Sequence, residues 1–274
     1  MLPQLHYQWR GIDCHALAQA DLEREFAARL AAGPDLVITS MEGADKLASA
    51  ARNRALVAAW LHSVSDTSLG VLRGRPQHAL AVSRFVLSRI DHPGAVLFYP
   101  PFLSPAAIAA PIPAGDLLMV NPVPKKGGDL VRELARRLPE RRFTLVEGWW
   151  DTSAQFADLP NTNWVPRTYA MDALYAGHRL LLVPSTVQDA FPRVIVEAGL
   201  ARTPTLGASR GGIPEAVGDG GVLVEPGNPE MWERAIRALD EPRLDELGSK
   251  ACARAAMLVR PCLPELAAAG ILPG

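Results

Sequence analysis

The feature that most constrains the fold is a regular alternation of short apolar runs and segments with helical periodicity. In the second half, apolar runs such as Leu180–Val183 are followed after a few residues by a helix-length segment. The first half alternates too, as in the run Asp35–Thr39, which follows a helix that Gly33-Pro34 ends. Strands separated by such helices predict a parallel sheet with helices on both faces. The predicted fold class is therefore α/β, with two Rossmann-like, doubly wound domains.

The alternation also predicts the individual elements and a domain boundary. Predicted strands cover 35–39, 55–61, 78–83, 95–99, 116–120, 143–147, 163–165, 180–183, 205–207 and 222–224. Predicted helices cover 16–32, 42–53, 83–90 (capped by Ser83), 128–138, 168–177, 192–202, 214–217 and 229–239. Five prolines between positions 100 and 115 predict a stiff linker. We therefore expect one domain over 1–110 and a second over 111–274 that ends in helices.

Composition is typical of a globular protein that does not bind nucleic acid. The 274 residues are 49% hydrophobic and 21% charged, with a net charge of −1. No apolar run reaches the roughly 20 residues that a membrane-spanning helix needs. Cys14, Cys252 and Cys262 show no metal-ligand spacing, and their odd number without a visible export signal fits a reducing cytoplasm. Basic residues between 132 and 142 predict a solvated helix face, with peripheral binding to the inner membrane as the alternative.

The segment PSTVQDAFPRVIVE, residues 184–197, predicts a binding site. An apolar strand runs into a Pro-Ser turn and a short acidic loop, and a helix begins at about Pro192. A strand that leads into a helix start places free backbone N–H groups at the carboxyl edge of a sheet, where α/β proteins hold phosphates. Asp189 and Glu197 flank that helix start and suit the hydroxyl groups of a sugar or ribose. The pattern indicates a nucleotide-sugar site, although helix capping and surface exposure also account for the two acids.

The residues from Asn121 to about Leu239 resemble the nucleotide-binding domain of GT-B glycosyltransferases, most closely the retaining family 4. The resemblance is carried by NPVPKKGGDL, NTNWVP and the stretch from YAGHRLLLVPS to GGIPEAVGDGGVLV. More loosely, PDLVIT, AAWLHSV, AVSRFVLSRI and VLFYPPF are similar to the later part of the family's acceptor domain. The resemblance implies a GT-B fold whose N-terminal domain is incomplete. A wrong start site, a partner chain or second copy that supplies the missing piece, and a degraded relative each account for this.

The resemblance implies the transfer of a sugar, with retention, from a UDP-, GDP- or dTDP-sugar to an acceptor hydroxyl. The acceptor class stays open between a glycan, a lipid-linked molecule and a small molecule. No metal and no further cofactor is expected. A non-catalytic accessory subunit is the main alternative, and an epimerase of the same architecture is a third.

The resemblance also implies a role for individual residues. Lys126 is expected at the donor phosphates, Glu197 at the ribose and Asp189 at the donor sugar, with His62 as a second catalytic candidate. Asn121 stands where the family usually has arginine. The other expected donor-binding residues are Val165, Ser185, Phe191, Arg193, Val194, Gly211, Gly212 and Glu215.

Other interpretations of these residues stay open. A lysine at a helix start is often simply solvated, and a lone histidine is often structural. Asp189 is one methylene shorter than the family's usual glutamate. Pro192 stands where the family normally has glycine, and it removes one N–H group from the helix start. Trp149 and Trp150 suit a cleft wall and ordinary packing equally well.

Overall fold

The computed structural model describes residues 5–9, 11–41, 43–102 and 116–272. The described residues form two compact units. One is drawn from Met1–Ala81, Ile90–Val96 and Glu265–Gly274, and the other from Val82–Arg89 and Leu97–Pro264. The domain boundary predicted at 110/111 lies outside the described residues and stays a prediction.

The elements up to residue 102 begin with a hairpin and continue as strand–helix repeats. They are β1 (Leu5–Trp9), β2 (Ile12–Ala16), α1 (Gln19–Ala31), β3 (Leu36–Thr39), α2 (Ala44–Ala51), β4 (Leu56–Leu61), α3 (Asp66–Leu69), β5 (His78–Ala81), α4 (Arg84–Leu87) and β6 (Ala95–Leu97). Strands β1 and β2 pair antiparallel. A four-stranded sheet has the order β3-β4-β5-β6, in which β3, β4 and β5 run parallel. Ser83 caps α4 as predicted, because its Oγ accepts a hydrogen bond of 3.1 Å from the N–H group of Val86.

The elements from residue 116 onward repeat the alternation of strand and helix. They are β7 (Leu117–Val120), α5 (Gly128–Arg137), β8 (Phe143–Val146), β9 (Thr162–Val165), α6 (Met171–Ala176), β10 (Leu180–Val183), α7 (Arg193–Leu200), β11 (Thr205–Ala208), α8 (Ile213–Val217), β12 (Gly221–Val224), α9 (Pro229–Arg237), α10 (Glu241–Leu258) and α11 (Leu263–Ala268). The six strands form one parallel sheet in the order β12-β11-β10-β7-β8-β9. None of the described helices combines the length and apolar character that crossing a bilayer requires.

The six-stranded sheet forms because its strands are short and rich in buried apolar residues. Every residue of β8, β10 and β11 is buried, as expected for strands covered by helices on both faces. Helix α5 contributes Leu130, Val131 and Leu134 to this core. Each fully buried aliphatic side chain contributes roughly 1.5–3 kcal/mol relative to its exposed state. The packed sheet is thus the rigid support for the loops at its carboxyl edge.

One predicted element needs correction. The sequence predicts a helix from Ala16, but Ala16 ends strand β2 and the helix begins at Gln19. Strand β2 pairs with β1 across a turn that includes Gly11, whose φ of +79° glycine adopts readily. The pairing between two neighbouring strands therefore overrides the helical pattern over the first residues of the predicted helix. The remaining predicted strands and helices all exist, with ends shifted by a few residues.

Candidate functional site

A cavity of about 640 Å³ opens at the carboxyl edge of the six-stranded sheet. From β7 the chain proceeds in one direction through β8 and β9, and β10, β11 and β12 lie on the other side. The cavity is lined by residues at or after the carboxyl ends of β7, β8, β9 and β10 and by the start of α7. It therefore lies at the reversal of strand order, where open α/β sheets bind their ligands.

Lys126 and Asp189 meet inside this cavity. The Lys126 Nζ atom forms an ion pair with Oδ1 of Asp189. The side chain of Asp189 is 13% exposed and that of Lys126 is 36% exposed, so the carboxylate is the more enclosed partner. The predicted phosphate-binding cation and the predicted sugar-binding carboxylate thus contact each other directly.

Backbone packing fixes the position of Lys126. The following residue, Gly127, has φ +91°, and a side chain there would collide with the backbone of Pro184. The carbonyl oxygen of Lys125 accepts hydrogen bonds from the N–H group of Thr186 at 3.2 Å and from its hydroxyl at 3.1 Å. These contacts hold the loop that carries Lys126 against the loop that follows β10.

Glu197 lines the cavity from the second turn of α7, and two side chains orient its carboxylate. The Tyr175 hydroxyl donates a hydrogen bond of 3.0 Å to Oε2, and Arg193 Nε lies 3.5 Å from Oε1. Burial, followed by the negative charge of Glu197, raises the pKa of Tyr175 well above its ordinary value. Tyr175 therefore stays a neutral hydrogen-bond donor to Glu197.

The first turn of α7 borders the cavity, since Pro192, Arg193 and Val194 all line it. The first N–H groups of any helix lack acceptors within the helix, and the end carries partial positive charge. Pro192 is the N-cap residue and has no N–H group of its own. The Arg193 guanidinium group stacks 4.5 Å from the ring of Phe102 and donates to the carbonyl of Pro101 at 2.9 Å. This part of the cavity suits an anion.

Gly211 and Gly212 lie behind the cavity wall. The N–H group of Gly212 donates a 2.6 Å hydrogen bond to the carbonyl of Asp189. Gly211 has φ +61°, and a Cβ atom there would lie 2.5 Å from that carbonyl oxygen. Neither glycine is among the residues that line the cavity. They support the loop that carries Asp189.

The other predicted residues have different positions. Asn121 and Ser185 line the cavity, whereas Val165 and Glu215 do not. Asn121 has φ +60°, and its Oδ1 is buried without a hydrogen-bond partner among the described residues. His62 belongs to the first unit, where its Nδ1 lies 3.4 Å from the Ser40 hydroxyl. The functional roles of these residues stay predictions.

Three further lining residues did not stand out in the sequence: Arg167, Tyr169 and Glu147. Arg167 donates to the Gly148 carbonyl at 2.8 Å, and its guanidinium lies 5.6 Å from the ring of Trp149. Trp149 lines the cavity at 74% exposure, and Tyr169 is 96% exposed. Glu147 ends the predicted strand 143–147, and the other two follow β9, so a search of the carboxyl ends of the predicted strands would have found them. Exposed aromatic and guanidinium faces suit a planar ring system.

The charges that line the cavity balance among the described residues. Lys126, Arg167 and Arg193 supply positive charge. Glu147, Asp189 and Glu197 supply negative charge. Two of the cations already contact two of the carboxylates. An anionic ligand therefore competes with these carboxylates for Lys126 and Arg193.

Part of the chain matches a known protein family. Residues 119–241 match the model of the family glycosyl transferases group 1. The D-inositol 3-phosphate glycosyltransferase of Streptomyces avermitilis is 40% identical over 77 residues, which are 27% of this chain and 17% of that enzyme. The enzyme of the same name from Segniliparus rotundus is 33% identical over 134 residues, which are 42% of this chain and 30% of the relative. The chain thus spans less than a third of the length of these curated relatives.

Solved structures show the fold. Anabaena Alr3699/HepE in complex with UDP has a TM-score of 0.71 at 21% identity, covering 85% of this chain and 78% of that one. The pneumococcal O-GlcNAc transferase GtfA in complex with UDP and GlcNAc has a TM-score of 0.71 at 14% identity, covering 93% and 59%. The predicted α/β fold of the GT-B glycosyltransferases is confirmed.

Proposed function

We propose that this chain, whose residues 119–241 match the glycosyl transferases group 1 model, is a glycosyltransferase that uses a nucleotide-sugar donor. The observation that carries the proposal is the cavity at the reversal of strand order. It brings Lys126, Asp189, Glu197 and the start of α7 around one space of about 640 Å³. That volume falls within the usual range for sites that bind small molecules.

The cavity residues suggest how the donor binds. The carboxylate of Glu197, oriented by Tyr175, accepts hydrogen bonds from the ribose hydroxyls. The ammonium group of Lys126 and the first turn of α7 stabilise the diphosphate, which gains negative charge as it leaves. Asp189 accepts a hydrogen bond from a hydroxyl of the donor sugar once Lys126 has turned to the phosphate.

We propose transfer with retention and without a metal. The bond between the anomeric carbon and the phosphate oxygen breaks, and a bond to the acceptor oxygen forms on the same face of the sugar. The acceptor proton moves to the departing phosphate oxygen, so no side chain has to act as the base. The catalytic role of His62 stays a prediction.

The comparisons favour UDP-sugars as the first donors to test. HepE and GtfA were both solved with UDP. The exposed Trp149 and Arg167 offer flat faces for the base. The acceptor is a hydroxyl compound, and the candidates are a glycan, a lipid-linked molecule and a small molecule such as the inositol phosphate named for the curated relatives.

A second candidate function is that of an accessory subunit with nucleotide affinity but no turnover. Two observations favour it: the ion pair that already occupies Lys126 and Asp189, and the missing N–H group at Pro192. Dependence on a partner chain belongs to this alternative.

The test combines binding and turnover. The purified chain is heated with UDP, GDP, dTDP and their glucose conjugates, and release of free nucleotide is followed separately. We expect UDP to raise the melting temperature, Glu197→Ala to abolish that rise, and the exposed Glu230→Ala to leave it intact. Nucleotide release with UDP-glucose supports the transferase, and stabilisation without release supports the accessory subunit. No stabilisation by any nucleotide would refute both.

A further inference from the structure

The carboxylate of Glu215 is held by three donors from two distant segments. Oε2 accepts hydrogen bonds from the N–H groups of Arg84 at 2.8 Å and Phe85 at 3.3 Å. Oε1 accepts a hydrogen bond of 2.7 Å from the hydroxyl of Tyr99. All of these residues belong to the second unit. The carboxylate therefore joins the start of α4 to the segment that contains Tyr99.

These two segments both contact the loop 189–191, which forms one wall of the cavity. The hydroxyl of Ser83, next to Arg84, donates a 2.7 Å hydrogen bond to the carbonyl of Ala190. The ring of Tyr99 packs 5.5 Å from the ring of Phe191. Glu215 thus holds two neighbours of the loop.

The residues that precede Glu215 hold the same loop from another side. The N–H group of Gly212 donates to the carbonyl of Asp189 at 2.6 Å. Glu215 follows this turn in helix α8, and its own carbonyl accepts a 3.1 Å hydrogen bond from Nε of Arg254. The backbone of Glu215 is therefore anchored, and its side chain extends that anchoring to α4 and Tyr99.

We infer that Glu215 is a positioning residue that fixes the loop 189–191, and with it the carboxylate of Asp189, against the donor sugar. This inference rests on the proposed function, because it assigns a purpose to the placement of Asp189. Displacement of a reacting or positioning group by about 1 Å can reduce turnover by roughly a hundredfold.

The hydrogen bond from Tyr99 to Glu215 persists near neutral pH. Burial and the neighbouring carboxylate of Glu215 raise the pKa of Tyr99 to about 12. The hydroxyl therefore keeps its proton and its hydrogen bond near neutral pH. Loss of this contact should need a substitution and not a modest change of pH.

The test uses Glu215→Ala, Glu215→Gln and Tyr99→Phe, with Glu230→Gln as the control. Glu230 is an exposed glutamate of the same unit, and its side chain is 76% exposed. The amide of Glu215→Gln can still accept from the N–H groups of α4 and donate to the oxygen of Tyr99. It should therefore retain most of the function that Glu215→Ala loses.

Two readouts are measured: amide hydrogen exchange over 84–90 and 188–194, and kcat and UDP affinity with a UDP-sugar. For Glu215→Ala we expect faster exchange in both segments and about a hundredfold lower kcat, with a UDP Kd within threefold of wild type. Tyr99→Phe should show the same pattern more weakly, and Glu230→Gln should match wild type. If Glu215→Ala fails to fold, Tyr99→Phe and Glu215→Gln still test the loop.

Faster exchange confined to 84–90, with unchanged exchange over 188–194, would overturn the inference, because Glu215 would then be only a cap for α4. An unchanged kcat in Glu215→Ala would overturn it as well. A failure of the proposed function gives a different result, because wild type itself would then bind no nucleotide. The exchange experiment would still report whether Glu215 holds the loop.

Discussion

Replacement of Asp189 by asparagine should tighten the binding of free UDP while it slows sugar transfer. Lys126 and Asp189 form an ion pair within the cavity, so a diphosphate that contacts Lys126 competes with the carboxylate for its ammonium group. Asparagine keeps the size of the side chain and removes its charge. The substitution therefore frees the lysine for the phosphate and also removes a repulsive charge from the cavity.

The size of the effect follows from the position of the pair. Two unit charges about 4 Å apart interact by about 4 kcal/mol near a protein surface. Water reaches Lys126, which is 36% exposed, and screens part of that energy. UDP also contacts Lys126 in both wild type and Asp189→Asn, so only part of the energy of the ion pair distinguishes the two proteins. We therefore expect a net gain of about 1.4 kcal/mol, which corresponds to a tenfold lower Kd.

Isothermal titration of UDP into wild type, Asp189→Asn and Asp158→Asn measures this gain. Asp158 is the matched control, because it is paired with Arg132 at 2.8 Å and does not line the cavity. The gain should shrink in a Lys126→Gln background, where only the carboxylate–phosphate repulsion remains to be relieved. With UDP-glucose, kcat should fall in Asp189→Asn, because the sugar loses its charged acceptor.

An unchanged or weaker affinity of Asp189→Asn for UDP would refute this reasoning. Lys126 would then not be held back by Asp189, and the ion pair would be irrelevant to donor binding. Equal gains in Asp189→Asn and Asp158→Asn would refute it differently, since a change in overall charge would then account for the effect.

Two further predictions concern stability. Gly211→Ala should lower the melting temperature and kcat more than Gly227→Ala. Both glycines have positive φ, but only at Gly211 would a Cβ meet the backbone of Asp189, so equal losses in calorimetry would contradict a packing role. Burial lowers the pKa of His178 below its ordinary value of 6.5, so the unfolded chain takes up the proton first. Its contribution to stability is complete above about pH 6.5 and is lost as the pH falls through the folded-state pKa. Urea unfolding between about pH 5 and 7 should show a shallower pH dependence for His178→Gln.

The strands and helices could be predicted because apolar runs of fixed length leave few ways to bury a chain. The runs at β7 and β10 are apolar without interruption, and Thr144 alone interrupts the run at β8. Each forms a largely buried strand of the six-stranded sheet. The hairpin of β1 and β2 escaped prediction because β2 is largely exposed and its polar pattern carries no signal of burial. Backbone pairing with β1 makes this segment a strand, although its composition does not predict one.

In the candidate site, too, some contacts could be predicted from the sequence and others could not. Asp189 and Glu197 could be placed together because they flank the start of one helix. The contact between Lys126 and Asp189 could not be predicted, because 63 positions separate them and only the sheet brings them together. The donor contact that the resemblance implies for Glu215 stays a prediction, and the hydrogen bond from Tyr99, 116 positions away, could not be predicted from the sequence.

The balance of charges in the cavity bears on how such a site could be selective. A cavity with excess positive charge would bind many phosphates, whereas here the cations at Lys126 and Arg193 already face carboxylates. An isolated phosphate that binds Lys126 would leave the carboxylate of Asp189 without an ion-pair partner. An unpaired carboxylate in an enclosed site is costly in free energy. In the proposed function, a nucleotide sugar provides hydroxyls for Asp189 and Glu197 and phosphates for Lys126, so both members of the Lys126–Asp189 pair gain new partners. Tight binding should therefore require the ribose and the sugar together with the diphosphate, and inorganic pyrophosphate should bind much more weakly than UDP-glucose.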